Sequence, residues 1–279
     1  LFAASILPGM LLAGLYLLYI GITSYRNPDR APPLPDDIGP SSNAELIALV
    51  FKSFFPPVLL ITLVLGSIFG GFATPTEAAG VGCLGAIFLA WMNKKLSMKT
   101  LRDVIRLAGL TNGMVFFIFF GATLFSYVFR ALGGDDLILE LLGVIGIDTG
   151  WEILTFMLVL TFLLGFFFDW IEITLIVLPV FAPILQGVDF GPHIGDGGPI
   201  VFLTWFVVML SVNLQTSFLT PPFGFTLFYM KGTVPPSINM GHIYRGIIPF
   251  VLLQLTGLGL IIAFPQIVLW LPRAAGFLI

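Results

Sequence analysis

Residues 213–228 read NLQTSFLTPPFGFTLF. Apolar runs flank this stretch on both sides, yet it gathers Asn213, Gln215, Thr216, Ser217, Thr220 and the pair Pro221–Pro222. Each proline lacks a backbone N–H and disfavours helix at the residue before it. Gly224 permits unusual dihedrals just after them. A helix entering near residue 199 is therefore expected to break here and to restart near Phe223. Unpaired backbone polar groups are not tolerated in lipid, so such a break must be buried in protein or line a wet cavity.

The rest of the chain supplies the surroundings that such a break needs. Of 279 residues, 58% are hydrophobic and 10% charged, against about 25% charged in a soluble domain. Mean hydropathy is +1.05. The apolar residues form runs of about 20, the length that crosses a bilayer core, and period-2 alternation is missing, which argues against an outer-membrane barrel. The fold class expected is an all-α polytopic membrane protein with about six or seven spans, one re-entrant hairpin and one discontinuous helix. The chain opens at Leu1 directly in a hydrophobic segment, which reads as a processed product or part of a longer protein.

Four stretches follow from the pattern. Residues 1–53 hold a first span, a Pro-rich loop and a short interfacial helix at about 44–53. Residues 54–134 hold further spans and an interfacial helix at 96–109, whose Leu101, Val104 and Ile105 face opposite its basic residues. Residues 135–232 hold a hairpin at about 151–187 and the broken helix at about 199–231. Residues 233–279 hold a last span at about 247–271. With the loop after the first span in the cytoplasm and 151–185 dipping in and returning, ten of the twelve Lys and Arg lie inside, a bias that sets orientation.

Three polar breaks are candidate sites. At the opening stretch, carbonyls freed by the prolines join the hydroxyls of Thr216, Ser217 and Thr220 as hard neutral donors suited to Na⁺. The half-helix beginning there turns its positive end toward an anionic group. Asn213, Gln215, Thr220, Pro221, Pro222 and Gly224 are the substrate-side candidates. The bland alternative is a proline kink whose hydroxyls satisfy freed carbonyls. The second break is GFFFDWIEIT, residues 165–174, where Asp169 and Glu172 are the only acids between Ile153 and Val188. A carboxylate in the membrane costs roughly 2.5–3.5 kcal/mol, so it marks function by default. Asp169 is taken as a cation ligand and Glu172 as the weaker candidate; in a shallow hairpin both would meet headgroup water. The third is GGFATPTEAAG, residues 70–80, where Thr74, Pro75 and Glu77 read equally well as a capped helix start.

Other chemistries find no support. His193 and His242 lack ligand spacing, no HExxH or GxSxG occurs, and the basic residues follow topology rather than nucleic acid. An enzyme is not expected. Cys83, the single cysteine, reads as a small buried hydrophobe.

The stretches GGFATPTEAAGVG, GFFFDWIEITLIVLPVFAPI, NLQTSFLTPPFGFTLFYMKG and IYRGIIPFVLLQLTGLGLIIAFPQIVLWLP together resemble the large membrane subunit of tripartite ATP-independent periplasmic (TRAP) transporters, in the branch linked to mannitol or chloroaromatic-type substrates. The resemblance implies a multi-pass protein of the bacterial inner membrane that takes up a small organic acid by an elevator movement driven by Na⁺. It implies two partners, a periplasmic solute-binding protein and a small TRAP membrane subunit. It makes 165–185 part of the second re-entrant hairpin and 213–228 the broken helix facing it, with Asp169 and Thr220–Gly224 beside a cation site. Only one half of the family's inverted repeat, its C-terminal portion, is matched. The other half is then expected on a further polypeptide or on residues outside these 279. The competing expectation is a truncated half serving as a structural subunit within a larger membrane complex, held there by its apolar surface.

Overall fold

The structure, a computed structural model, describes residues 1–30, 40, 42–195, 198–221, 224–235 and 237–278. Part of the Pro-rich loop, Pro222 and the side chain of Ser217 lie outside the described residues. All regular structure among the described residues is helical: α1 (Phe2–Arg26), α2 (Asn43–Phe69), α3 (Pro75–Met92), α4 (Met98–Ala131), α5 (Gly134–Val144), α6 (Gly150–Leu164), α7 (Trp170–Gln186), α8 (Gly191–Ile194), α9 (Gly198–Gln215), α10 (Phe225–Thr233), α11 (Met240–Ala263) and α12 (Gln266–Ala274), with short 3₁₀ turns at Pro28–Arg30 and Thr216–Phe218. Six helices, α1, α2, α3, α4, α9 and α11, are long and apolar enough to cross a membrane. The polytopic all-α expectation holds.

The chain packs as two units. One comprises Leu1–Tyr25 with Met114–Ile279, the other Arg26–Gly113. This grouping differs from four consecutive stretches because α1 returns to the C-terminal helices. Leu12 of α1 lies against Gly257 of α11, where an added Cβ would meet its Cδ2 at 2.5 Å. In the smaller unit α2 and α3 pair closely, with Leu60 against Gly85, the small-residue contact usual between membrane helices. Every residue of α2 stays at least partly accessible, so its apolar faces are available to lipid or to another polypeptide.

Three segment boundaries differ from the sequence reading. The interfacial helix at 44–53 and the next span are one 27-residue helix, α2, with Pro56 and Pro57 inside it. A proline removes one helical hydrogen bond, whereas ending the helix would leave several unpaired groups. The interfacial helix at 96–109 runs on into the following span as the 34-residue α4, because Gly109 and Gly113 lower helix propensity without preventing it. The last span stops at Ala263 and α12 follows. Pro265 stands between them and has no N–H to offer the carbonyl of Ile261.

The hairpin is α6 and α7, packed on each other and both on α9. Fifteen and 17 residues long, the arms reach about 22–26 Å, less than the roughly 30 Å hydrocarbon core. Thr149 and Glu152 form a reciprocal capping box that starts α6, and Asp169 caps α7. Thr74 and Glu77 form another at the start of α3, with Pro75 in the first turn; the structural reading of that motif suffices.

Candidate functional site

The break in the fifth long helix is built by the sequence that marks it. Helix α9 runs to Gln215, the 3₁₀ turn takes Thr216–Phe218, and helix resumes at Phe225. Pro221 and Pro222 have no N–H to donate four residues back, to the carbonyls of Ser217 and Phe218. Inside the break a chain of short contacts replaces the helical ladder. The Thr216 hydroxyl donates to Asn213 O at 2.6 Å and the Thr220 hydroxyl to Thr216 O at 3.0 Å. Leu219 N also donates to Thr216 O, and Gly224 N to Thr220 O. Both hydroxyls therefore spend their protons on the backbone, and their oxygens remain able to accept or to ligate.

Gly224 shows how tight the turn is. A Cβ placed there would lie 3.0 Å from Phe218 O, 3.0 Å from Thr220 O and 3.0 Å from Leu227 Cδ1. Two carbonyl oxygens thus crowd the place a Cβ would take at Gly224, so a side chain there would force the turn to give by a few tenths of an ångström. Thr216 and Thr220 are buried, as are Asn213 and Gly224, while Pro221 is half-buried. Gln215 points outward and is exposed.

Asn213 joins the break to the hairpin. Its Nδ2 donates to Leu158 O at 2.9 Å and to Thr161 Oγ1 at 2.6 Å. Asn213 and Thr161 are each 1% exposed. The Thr161 hydroxyl bonds back to its own helix, at Leu158 O (3.0 Å) and Met157 O (2.9 Å). The end of α9 is therefore held against the last turn of α6, just before the hairpin tip. In an apolar interior such paired amide and hydroxyl groups fix one arrangement, since any slip leaves them unsatisfied. Thr161 had a sequence signal, a lone hydroxyl in the hairpin arm LVLTFLLG, but only the fold pairs it with Asn213.

The hairpin tip runs from Gly165 to Asp169. The Asp169 carboxylate accepts from Trp170 N at 2.8 Å and caps α7. It is half-buried, and among the described residues no hydrogen bond joins it to the break. Glu172, one turn on, has one carboxylate oxygen shielded from solvent with no hydrogen-bond partner among the described residues. No group of three or more His, Cys, Asp or Glu gathers among the described residues.

Where α11 gives way to α12, the carbonyl that Pro265 leaves without a donor and the one after it are met from other helices. Trp205 Nε1 donates to Ile261 O at 3.1 Å, and His193 Nε2 lies 2.6 Å from Ile262 O. His193 thus serves the fold. Removing the indole donor with Trp205→Phe leaves Ile261 O unpaired in the core. Thermal unfolding in detergent is expected to show a loss of about 1–3 kcal/mol.

A helical hairpin and a discontinuous helix are thus joined through buried polar side chains. The model of the family described as "Tripartite ATP-independent periplasmic transporter, DctM component" matches residues 1–267. The chain belongs to this family. It is 30% identical over 97% of its length to the ectoine/5-hydroxyectoine TRAP transporter large permease protein UehC of Ruegeria pomeroyi. It is 26% identical over 99% of its length to the C4-dicarboxylate TRAP transporter large permease protein DctM of Pseudomonas aeruginosa. It is 27% identical over 98% to the sialic acid TRAP transporter permease protein SiaT of Haemophilus influenzae. The chain spans 59%, 60% and 41% of those proteins. These relatives are transport permeases, not enzymes, and with six candidate spans the chain is a multi-pass protein of the bacterial inner membrane.

Proposed function

We propose that this chain forms the hairpin and broken-helix portion of a Na⁺-coupled TRAP permease that takes up a small organic acid. A periplasmic solute-binding protein delivers the acid and a small TRAP membrane subunit braces the assembly. The chain spans about 60% of the ectoine and C4-dicarboxylate relatives, and the other half of the inverted repeat lies outside these 279 residues. The observation that carries this reading is the pair of buried contacts from Asn213 to Leu158 O and Thr161, beside a turn whose carbonyls converge at Gly224. A hairpin and a break coupled in this way can respond together to one ion.

In this reading the carbonyls of Phe218 and Thr220, with the hydroxyl oxygens of Thr216 and Thr220, are the Na⁺ ligands. They are hard, neutral donors, the set that suits a small monovalent cation. Ser217 and Asp169 are the remaining candidate ligands, Asp169 by supplying negative charge from the hairpin tip. The start of α10 favours an anionic substrate group; Asn213, Gln215, Pro221 and Pro222 remain the substrate-side candidates by sequence, with Gln215 exposed and Pro222 outside the described residues. Ectoine, sialic acid and C4-dicarboxylates appear in the names of the relatives; all three kinds carry a carboxylate, which the dipole end accommodates. The mannitol or chloroaromatic-type branch is the finer proposal, checked by a competition panel of acids.

The experiment is Na⁺-driven uptake in proteoliposomes carrying this chain with its companion subunits. Asp169→Asn is expected to raise the Na⁺ concentration for half-maximal uptake by about tenfold, or 1.4 kcal/mol. An unchanged Na⁺ dependence removes Asp169 from the site. A second reading, a structural subunit of a larger membrane complex, is favoured by α2, whose residues all stay accessible. Co-purification with an unrelated complex and no binding protein would select it.

A further inference from the structure

A cavity of about 500 Å³ lies beside the broken helix, where α10 meets α11. Leu219 of the break, Met230 of α10, Ile238 from the connection, and Ile247 and Phe250 of α11 are among its walls. Tyr16 of α1 also lines it, its ring edge-on to Phe250 with centroids 5.4 Å apart. Ile243, Ile247, Phe250 and Gln254 share one face of α11 by their spacing. Gln254 therefore lies one turn beyond Phe250, and its side chain neighbours the Tyr16 hydroxyl. Gln254 is 1% exposed, and neither its Nε2 nor its Oε1 has a hydrogen-bond partner among the described residues. The Tyr16 hydroxyl is likewise shielded and without a hydrogen-bond partner there.

We propose that this cavity binds an uncharged amphipathic small molecule, whose hydroxyl or carboxamide end meets Tyr16 and Gln254 and whose apolar body lies against Leu219, Ile247 and Phe250. Three observations carry it. A buried amide with both polar atoms unpaired is costly, and so is the phenol beside it. Together they present N–H and O–H donors and an amide oxygen. The group that satisfies them must both donate and accept, as a neutral hydroxyl or carboxamide does and an acyl chain does not. Next, the walls are mostly aliphatic and aromatic, and an apolar cavity of this kind does not hold water. Last, no Asp, Glu, Lys or Arg lines the cavity among the described residues, so a charged end would be desolvated without a partner. The one imidazole in the lining, His242, is exposed, and its Nδ1 accepts from Asn239 N at the start of α11. The volume falls within the roughly 300–1,000 Å³ of small-molecule sites. This ligand class differs from the organic acid of the transport reading, and the proposal stands without that reading.

The test is photolabelling of the purified full chain in lipid nanodiscs with a diazirine-bearing octanol, the labelled peptides being mapped by mass spectrometry. Labelling is expected to saturate and to fall on Tyr16 and on the stretch of α11 from Ile243 to Phe250. Octanol is expected to displace the probe at least about tenfold better than octane at equal mole fraction in the lipid, because a site built to hydrogen-bond rejects the analogue lacking the group. Tyr16→Phe with Gln254→Leu keeps the shape and is expected to erase that preference. Gly246→Leu fills the cavity from a lining position where an added Cβ meets nothing within 4 Å, and is expected to lose the labelling. Leucine favours helix over glycine, so unfolding temperature and helical content should be maintained. Equal displacement by octanol and octane in the wild type overturns the polar contact whatever the variants do. A preference that survives the double variant overturns the assignment to Tyr16 and Gln254. Saturable labelling elsewhere, no saturable labelling, or unchanged labelling in Gly246→Leu overturns the site.

Discussion

Replacing Gly224 by alanine is expected to abolish uptake while leaving the protein in the membrane. The added Cβ would enter at 3.0 Å from both Phe218 O and Thr220 O. Backbone oxygens cannot swing aside as a flexible side chain would, so the turn itself must open. If those oxygens ligate the coupling ion, moving either one changes the ligand set. A hundredfold loss corresponds to about 2.7 kcal/mol, a modest amount for a displaced pair of ligands. The readout is Na⁺-driven uptake in proteoliposomes beside a control for insertion and unfolding temperature. Wild-type uptake by Gly224→Ala would mean that the convergence of carbonyls at this position is a packing accident. Loss of folding together with uptake would assign the glycine to stability alone.

The second large effect is expected at Asn213. Asn213→Leu keeps the volume and removes both contacts to the hairpin, at Leu158 O and Thr161 Oγ1. Thr161 keeps its bonds to its own helix, so the penalty is confined to the joint between α9 and α6. Two net hydrogen bonds in a buried setting are worth about 1–3 kcal/mol. The larger consequence is mechanical, because the hairpin tip is then free to move independently of the break. Uptake should fall at least about tenfold, 1.4 kcal/mol in transition-state terms, and amide exchange at residues 158–168 should quicken. Thr161→Ser retains the hydroxyl and should remain near wild type. Slow exchange and full uptake in Asn213→Leu would show that packing alone holds the two elements together.

Asn213 and Asp169 mark how far the sequence could be read. Both stand out as polar residues in apolar runs. The structure gives them different work. Asn213 reaches across to another helix, whereas Asp169 turns back to cap its own. Which of two polar side chains meets a partner depends on helix rotation and packing, and neither is written in local composition. Likewise, Pro221 and Pro222 announce the break, but the convergence of Phe218 O and Thr220 O at Gly224 requires the folded turn. His193 is a similar case. No ligand spacing surrounds it, and its partner, Ile262 O, lies 69 residues away.

The boundaries of α2 and α4 differed for a related reason. Amphipathic character at 96–109 is real in the sequence, but nothing there forces the helix to end, and the hydrogen-bond ladder carries through. Pro56 and Pro57 look like punctuation in a soluble protein; in an apolar surrounding the helix continues past them, because stopping would cost more than the two missing bonds. By contrast, Thr149, Thr74 and Asn239 cap their helices through residues three positions on, a relation fixed by chain geometry.

By itself the amino-acid order determined the membrane-spanning helical class, the hairpin, the place of the break and the local caps. Those follow from solvation of apolar runs, from missing proline donors and from contacts within one helical turn. The tertiary structure alone decided that Asn213 meets Thr161, that Arg130 serves a carbonyl of α7, and that α1 packs beside α11. Such pairings join residues dozens of positions apart, and they depend on the packing of whole helices, which no short window of sequence encodes.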